Sequence, residues 1–274
     1  VTTLHLTPDL EIINQTNFDT RSDQLNVLDM YMRAQLNQQV NMRAGLFKVP
    51  FGWEGLRSSS TANTIELSDV TRGISSIRDT GVAFGYENGP WQANLALVQG
   101  QVVAWTDPNP QKDVVGKVSY QFSPEWTVGT SFHYGSFQPL GAQEAVPVRR
   151  HGIDLQYNEG SWKVDFEYLW SHGYNLTSQA DTRAEGFYIA VVKKLDERND
   201  LVLHFDRFEP DLGRSNLTSA SNGSNTRNRL VLGWNYYFKR VAPHRLMINY
   251  EFANEEEGPK IPNNGFRIRY QYAW

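Results

Sequence analysis

The stretch FRIRYQYAW, residues 266–274, ends the chain and decides how the rest is read. Phe266, Ile268, Tyr270, Tyr272 and Trp274 occupy every second position, with Arg267, Arg269, Gln271 and Ala273 between them. A period of two marks a β-strand, whose successive side chains point to opposite faces. One face here is apolar and aromatic, while the other carries two arginines. The question is what covers the apolar face.

The same period recurs along the chain. Met30, Met32 and Ala34 alternate with Asp29, Tyr31 and Arg33, and Trp91, Ala93 and Leu95 alternate with Gln92 and Asn94. Trp126, Val128 and Phe132, then Trp162, Val164 and Phe166, then Leu230, Leu232 and Trp234, then Leu246, Ile248 and Tyr250 repeat it. No comparable stretch follows a helical period, so the chain reads as all-β. Its connections alternate in length. Short turns fall at 37–39, 87–90, 123–125, 159–161, 196–199 and 239–244, and long polar loops at 50–77, 101–113, 138–148, 172–184, 209–226 and 253–264. That is an up-and-down meander with unlike ends, the layout of a transmembrane barrel with tight periplasmic turns and longer extracellular loops.

Composition agrees. The 274 residues are 40% hydrophobic yet 13% aromatic, and no run approaches the roughly 18–20 apolar residues of a membrane helix. A soluble sandwich would turn its apolar faces into a core of Val, Ile and Leu. Here Trp91, Trp126 and Trp162 follow short turns, and Tyr134 and Trp170 precede long loops, as interfacial girdles would. The opposite face carries mid-strand charges that no dry core accepts unpaired. Lipid therefore covers the apolar face. A net charge of −4 gives no reason to expect nucleic-acid binding, and the absence of cysteine excludes disulfides and thiolate metal sites. Val1 opens without a signal-peptide pattern, so such a leader has been removed or left out. Counting back from Trp274 gives fourteen strands, the number that about 20 residues per strand over 274 residues favours, with twelve as a smaller alternative. Residues 1–6 offer a fifteenth. Since single-chain bacterial barrels have even numbers, either those residues do not span, or a strand is missing before Val1 and the count is sixteen.

MRAGLFKVPFGWEGLRSSS (residues 42–60), IRDTGVAFGY (residues 77–86) and LDMYMRAQL (residues 28–36) resemble the phosphate-selective porin O/P family of Gram-negative outer-membrane porins. The resemblance covers roughly residues 25–100. It implies a single barrel domain over 1–274, a water-filled channel without a cofactor, and passive diffusion of small hydrophilic solutes or ions, phosphate among them. It further implies a homotrimer of sixteen-stranded subunits, contact with lipid bilayer and lipopolysaccharide, and assembly by the barrel assembly machinery. Tyr270, Tyr272 and Trp274 are similar to the C-terminal signal that outer-membrane barrels present to that machinery.

Strand parity predicts the pore lining. Its basic members are Arg33, Arg43, Lys117, Lys163, Arg229, Arg245, Arg267 and Arg269, and its acidic members Asp29, Glu87, Asp154, Asp165, Glu167, Asp206 and Glu251. Eight against seven nearly cancel, so anion selectivity does not follow from charge alone. Their placement puts an arginine-rich wall, on the first and last strands, opposite Asp154, Asp165, Glu167 and Asp206. Such walls would set a transverse field across the pore; the alternative is local pairing within the sheet. The loop 50–77 is the longest. Folded inward, it would bring Glu54, Arg57, Glu66, Asp69 and Arg72 to a constriction; otherwise it is an ordinary external loop, and a plugged barrel whose loops bind a partner is the rival function. Catalysis is not expected. Ser131 with His133, and Ser171 with His172, lack a nucleophile-elbow context and a visible acidic partner, and the six histidines include no HExxH spacing. His133 and His204 read as polar lining, residues 106–113 and 254–258 as solvated or cation-binding external runs, and residues 213–228 as a flexible loop.

Overall fold

The computed structural model describes residues 1–19, 23–100, 111–137, 145–174, 181–212, 226–240, 244–256 and 263–272. Trp274, residues 106–110, 257–258 and 213–225, on which expectations fell, lie outside them. Fifteen strands form one sheet in strict chain order. They are β1 (Thr2–Thr7), β2 (Leu10–Asp19), β3 (Gln24–Gln35), β4 (Val40–Lys48) and β5 (Arg78–Asn88). Then follow β6 (Trp91–Val98), β7 (Asp113–Gln121), β8 (Trp126–Phe137), β9 (Val146–Glu159) and β10 (Trp162–Tyr174). The last five are β11 (Asp181–Lys194), β12 (Asn199–Glu209), β13 (Arg227–Lys239), β14 (His244–Glu255) and β15 (Gly265–Gln271).

Every neighbouring pair is antiparallel. Among the described residues, β1 and β15 each have a single partner strand, so the sheet is open between them. An odd count in a strict meander leaves these two edges running in the same direction. The difference from the fourteen preferred on sequence is β1. Pro8 and Asp9 turn the chain so that Thr7 pairs with Leu10, which draws residues 2–7 onto β2 as a hairpin. At about 3.3 Å per residue these six residues reach roughly 20 Å, less than the 9–11 residues of a spanning strand provide.

The connections alternate in length as the sequence indicates. Gly89 and Gly160 open two-residue turns at φ +57, a left-handed conformation that glycine adopts at no steric cost. The β11–β12 turn is closed by Asp196, whose carboxylate accepts the backbone N–H of Arg198 (2.7 Å) and Asn199 (2.9 Å). Those bonds hold its carboxyl below the usual carboxylate range. Arg240, in the next short turn, reaches across to Asp200 (2.7 Å) and lies 4.3 Å from the Tyr237 ring centroid. The Asp200 carboxylate raises its guanidinium above the ordinary value.

Burial is inverted relative to a soluble protein. Met30, Phe84, Leu95, Leu97, Leu232 and Ile268 are 47–60% exposed on one face, whereas Asp165, Glu167 and Asp206 on the other are fully buried. At the short-turn end aromatics pair across strands, Trp91 with Tyr120 (4.5 Å between centroids) and Trp126 with Tyr157 (4.7 Å). Tyr134, His151 and Trp170 form a second cluster at the long-loop end. An outer face of this kind is stable against hydrocarbon and unstable to charge. Leu95→Arg on β6 is expected to lower the stability of the bilayer-folded protein by about 2–4 kcal/mol. Urea unfolding in vesicles checks this, and an unchanged midpoint would mean that Leu95 does not face lipid.

Candidate functional site

The segment between β4 and β5 lies against the inner, polar face of the sheet. It contains short helical turns at Glu54–Leu56, Ser59–Thr61 and Thr71–Ser75. Its apolar side chains Val49, Phe51, Val70 and Ile74 pack with Phe47 of β4, Leu169 of β10, Tyr188 of β11 and Phe208 of β12. This cluster alone would leave the segment's backbone polar groups facing inward, where each needs a partner. The wall supplies them. Glu167 on β10 accepts the backbone N–H of Trp53 (2.6 Å) and Glu54 (3.1 Å). Ser131 on β8 accepts Gly52 N–H (3.1 Å), and Asn249 on β14 accepts Ile65 N–H (2.7 Å). Asp206 on β12 accepts Asp69 N–H (2.9 Å), while Arg229 and Asn235 on β13 donate to the carbonyls of Leu67 (2.6 Å) and Asn63 (3.0 Å). Gly52 is required here, because at φ +73 a Cβ would sit 2.6 Å from Glu167 Oε1.

The segment's own charges serve the same attachment. Arg57 donates to Asp165 Oδ2 (3.0 Å), which also takes Asn63 (3.0 Å) and Lys163 (3.1 Å). Glu54 accepts both the N–H (3.0 Å) and the hydroxyl (2.6 Å) of Ser68, closing the segment on itself. Asp69 pairs with Arg72, and Glu66 lies 3.8 Å from Arg267.

The residues assigned to the lining by parity fall into two groups. The four mid-sheet acids are all engaged: Asp154 by Lys117 and Gln156, Asp165 and Glu167 as above, and Asp206 by Arg229 (2.9 Å) and His204 (3.2 Å). Among the bases, Arg33 pairs with Glu11, Arg267 with Glu251 (3.0 Å), and Arg245 donates to Gln271 (3.0 Å) and the Ser59 carbonyl (3.1 Å). Arg43, which donates to Asn94 Oδ1 (3.2 Å), and Arg269 form no ion pair with a carboxylate among the described residues. Asp29 is paired, with Arg78 (2.9 Å), and Glu87 lines the cavity near the short turns.

Parity missed Lys48 and Arg78. They face each other on the last rung of the β4–β5 ladder, where pairing ends and alternation stops fixing the side on which a residue lies. Lys48 donates to the Arg57 carbonyl (2.7 Å) and has no carboxylate partner among the described residues. The glycine before Phe47-Lys48, and Pro50 after them, were the available signal. His133 does have an acidic partner, Asp113 (2.7 Å), from β7. The Ser131 oxygen takes Gly52 N–H, and among the described residues no hydrogen bond joins Ser131 to His133, whose ring nitrogens meet Asp113 and Arg150.

Two adjoining cavities lie along the wall of β1 to β6, and the second of them is also bordered by the segment. One, about 610 Å³, lies near the short turns and is lined by Arg33, Gln35, Asn41, Arg43, Glu87 and Asn94, with Asp9 and Glu11. The second, about 670 Å³, shares Arg43 and Asn94 and adds Asp29, Lys48, Ser58, Ser59 and Arg78. A third, about 320 Å³, borders the segment and Arg269. Across the second and third, six bases (Arg43, Lys48, Arg57, Arg72, Arg78, Arg269) stand with three acids (Asp29, Glu54, Glu66).

Among solved structures, an anion-selective porin from Comamonas acidovorans is 13% identical, over 99% of this chain and 82% of that one, with a TM-score of 0.66. The trimer form of in-vitro folded OmpT from Vibrio cholerae is 13% identical over 99% and 89%, TM-score 0.64. OmpF of Salmonella typhi, in complex with daunomycin, is 12% identical over 97% and 86%, TM-score 0.69. These likenesses speak to the fold. A comparison with curated proteins finds no match. The family described as phosphate-selective porin O and P matches residues 9–146, which include β2 to β8, the inward segment and the Arg43–Lys48 wall. With half of its length so matched, the chain belongs to that family, whose members are channels of the Gram-negative outer membrane and not enzymes.

Proposed function

We propose that the chain is a passive diffusion channel favouring small hydrophilic anions, with its path between the 50–77 segment and the β1–β5 wall. One observation carries this reading. The mid-sheet acids are consumed in fastening the segment and in local ion pairs, while Arg43, Lys48 and Arg269 border the remaining space and form no ion pair with a carboxylate among the described residues. At the level of the segment Arg57, Arg72 and Arg78 are paired with Asp165, Asp69 and Asp29, and the remaining bases Arg43, Lys48 and Arg269 stand against Glu54 and Glu66, a balance that favours an anion. Near the short turns Asp9, Glu11 and Glu87 offset Arg33 and Arg43, so selectivity is set at the segment. The charges first grouped into facing walls then act unequally: Asp165, Glu167 and Asp206, with Lys163 and Arg229, hold the segment, Asp154 and Lys117 pair locally, and basic side chains predominate where the solute passes the segment. Lining roles for Arg33, Arg245, Arg267 and Glu251 belong to the same reading. The cavities beside the segment favour a pore over a plugged barrel. The open edge between β1 and β15 is closed in the working channel, by their meeting or through a further strand. The trimer form of the Vibrio cholerae relative makes a homotrimer the expected assembly.

Purified protein in planar bilayers should open stable channels, with a reversal potential of anion-selective sign in a KCl gradient. Replacing Arg43 and Lys48 together by Gln should move that potential towards zero. A cation-selective wild type, or a double variant indistinguishable from it, would remove the basic wall from the account. Glu167→Ala strands two backbone donors, at about 1–3 kcal/mol each. Single-channel records should then show larger and noisier openings; unchanged steps would mean that the segment is held elsewhere.

A further inference from the structure

On the outer face of β10–β14, beside the short turns, lies an apolar groove of about 480 Å³. Register builds it from two rows. Lys193, Leu201, Trp234 and Ile248 stand side by side across β11 to β14, and Val191, Leu203, Leu232 and Tyr250 form the next outward row. Trp162, opposite Lys193 on β10, bounds one side. The lining is hydrocarbon and aromatic except for Lys193, whose ammonium lies 4.2 Å from the Trp162 ring centroid and donates to Ser161 Oγ (2.6 Å). No carboxylate pairs with it among the described residues, and two of its three N–H donors are left over.

We propose that this groove binds one phospholipid of the periplasmic-side leaflet, an acyl chain along the two rows and the phosphate on Lys193 Nζ. Three features choose this occupant. The groove opens on the face turned to lipid, so hydrocarbon is what reaches it. It sits at the short-turn end, which in outer-membrane barrels is the periplasmic one, whereas lipopolysaccharide occupies the opposite leaflet. Its single cation stands at the interfacial end, beside the indole of Trp162, where a headgroup phosphate comes and where a long basic side chain reaches from an apolar surface. The proposal rests on the outer-membrane placement and not on the anion reading of the lumen.

The test uses the full chain, stripped of lipid in detergent and titrated with dioleoylphosphatidylglycerol or with dioleoylglycerol, which has the same chains and no phosphate. Native mass spectrometry counts the bound lipid. One phosphatidylglycerol per chain is expected, held about fivefold more tightly than the diacylglycerol. Lys193→Gln should abolish that preference with single-channel conductance unchanged, which shows the variant folded. Leu203→Trp, filling the groove, should weaken both lipids. Equal binding of the two lipids by the wild type overturns the phosphate contact. Unaltered lipid binding by Leu203→Trp, with or without loss of an oligomer, overturns the groove as the site.

Discussion

The contact between the Glu167 carboxylate and the consecutive backbone N–H groups of Trp53 and Glu54 holds the interior in its arrangement. A chain that leaves one strand and crosses the inside of a sheet carries unsatisfied peptide groups into a confined space, and each must find an acceptor or a donor. Glu167 supplies two acceptors at the point where the segment has just turned at Gly52, and Asp165 on the same strand, then Asp206, Arg229 and Asn249 on β12 to β14, continue the attachment. The wall carboxylates are therefore committed before any solute arrives. Arg43, Lys48 and Arg269, on β4 and β15, form no ion pair among the described residues, and in the proposed channel they are the bases that face the solute.

The sheet itself was legible from sequence because its two faces live in different solvents. Lipid tolerates any apolar side chain, so the outward positions, from Met30 and Leu95 to Ile268, repeat with a period of two that a bulge at Leu28 interrupts in β3. The short turns were equally visible, since Gly89, Gly160 and Asp196 each answer a local backbone requirement. The edge was less so. Residues 2–7 alternate weakly, and only the Thr7 to Leu10 hairpin contact makes them a strand.

The interior was legible one residue at a time but not as pairs. Parity put Asp165 and Arg245 on the inner face, where they are. It could not reveal that Asp165 meets Arg57, 108 positions earlier, because that contact depends on where an irregular segment comes to rest. An inventory of near-equal bases and acids therefore hid an unequal outcome. Lys48 and Arg78 escaped for a related reason: at the end of a ladder, position along the strand no longer determines the side. The resemblance in residues 42–60 pointed to the right stretch without assigning its contacts.

The central claim is that solute passes along the β1–β5 wall and not along the wall occupied by the segment. The chain has no cysteine, so single thiols can be introduced without background. The most direct measurement is channel block by a charged, membrane-impermeant methanethiosulfonate applied to Asn94→Cys and to Asn235→Cys. Asn94 borders both cavities, whereas Asn235 is buried beneath the segment and donates to the Asn63 carbonyl. Rapid loss of current through Asn94→Cys, with Asn235→Cys unaffected, is the result the account predicts. Block through Asn235→Cys with Asn94→Cys silent would place the path on the opposite side of the segment and contradict it.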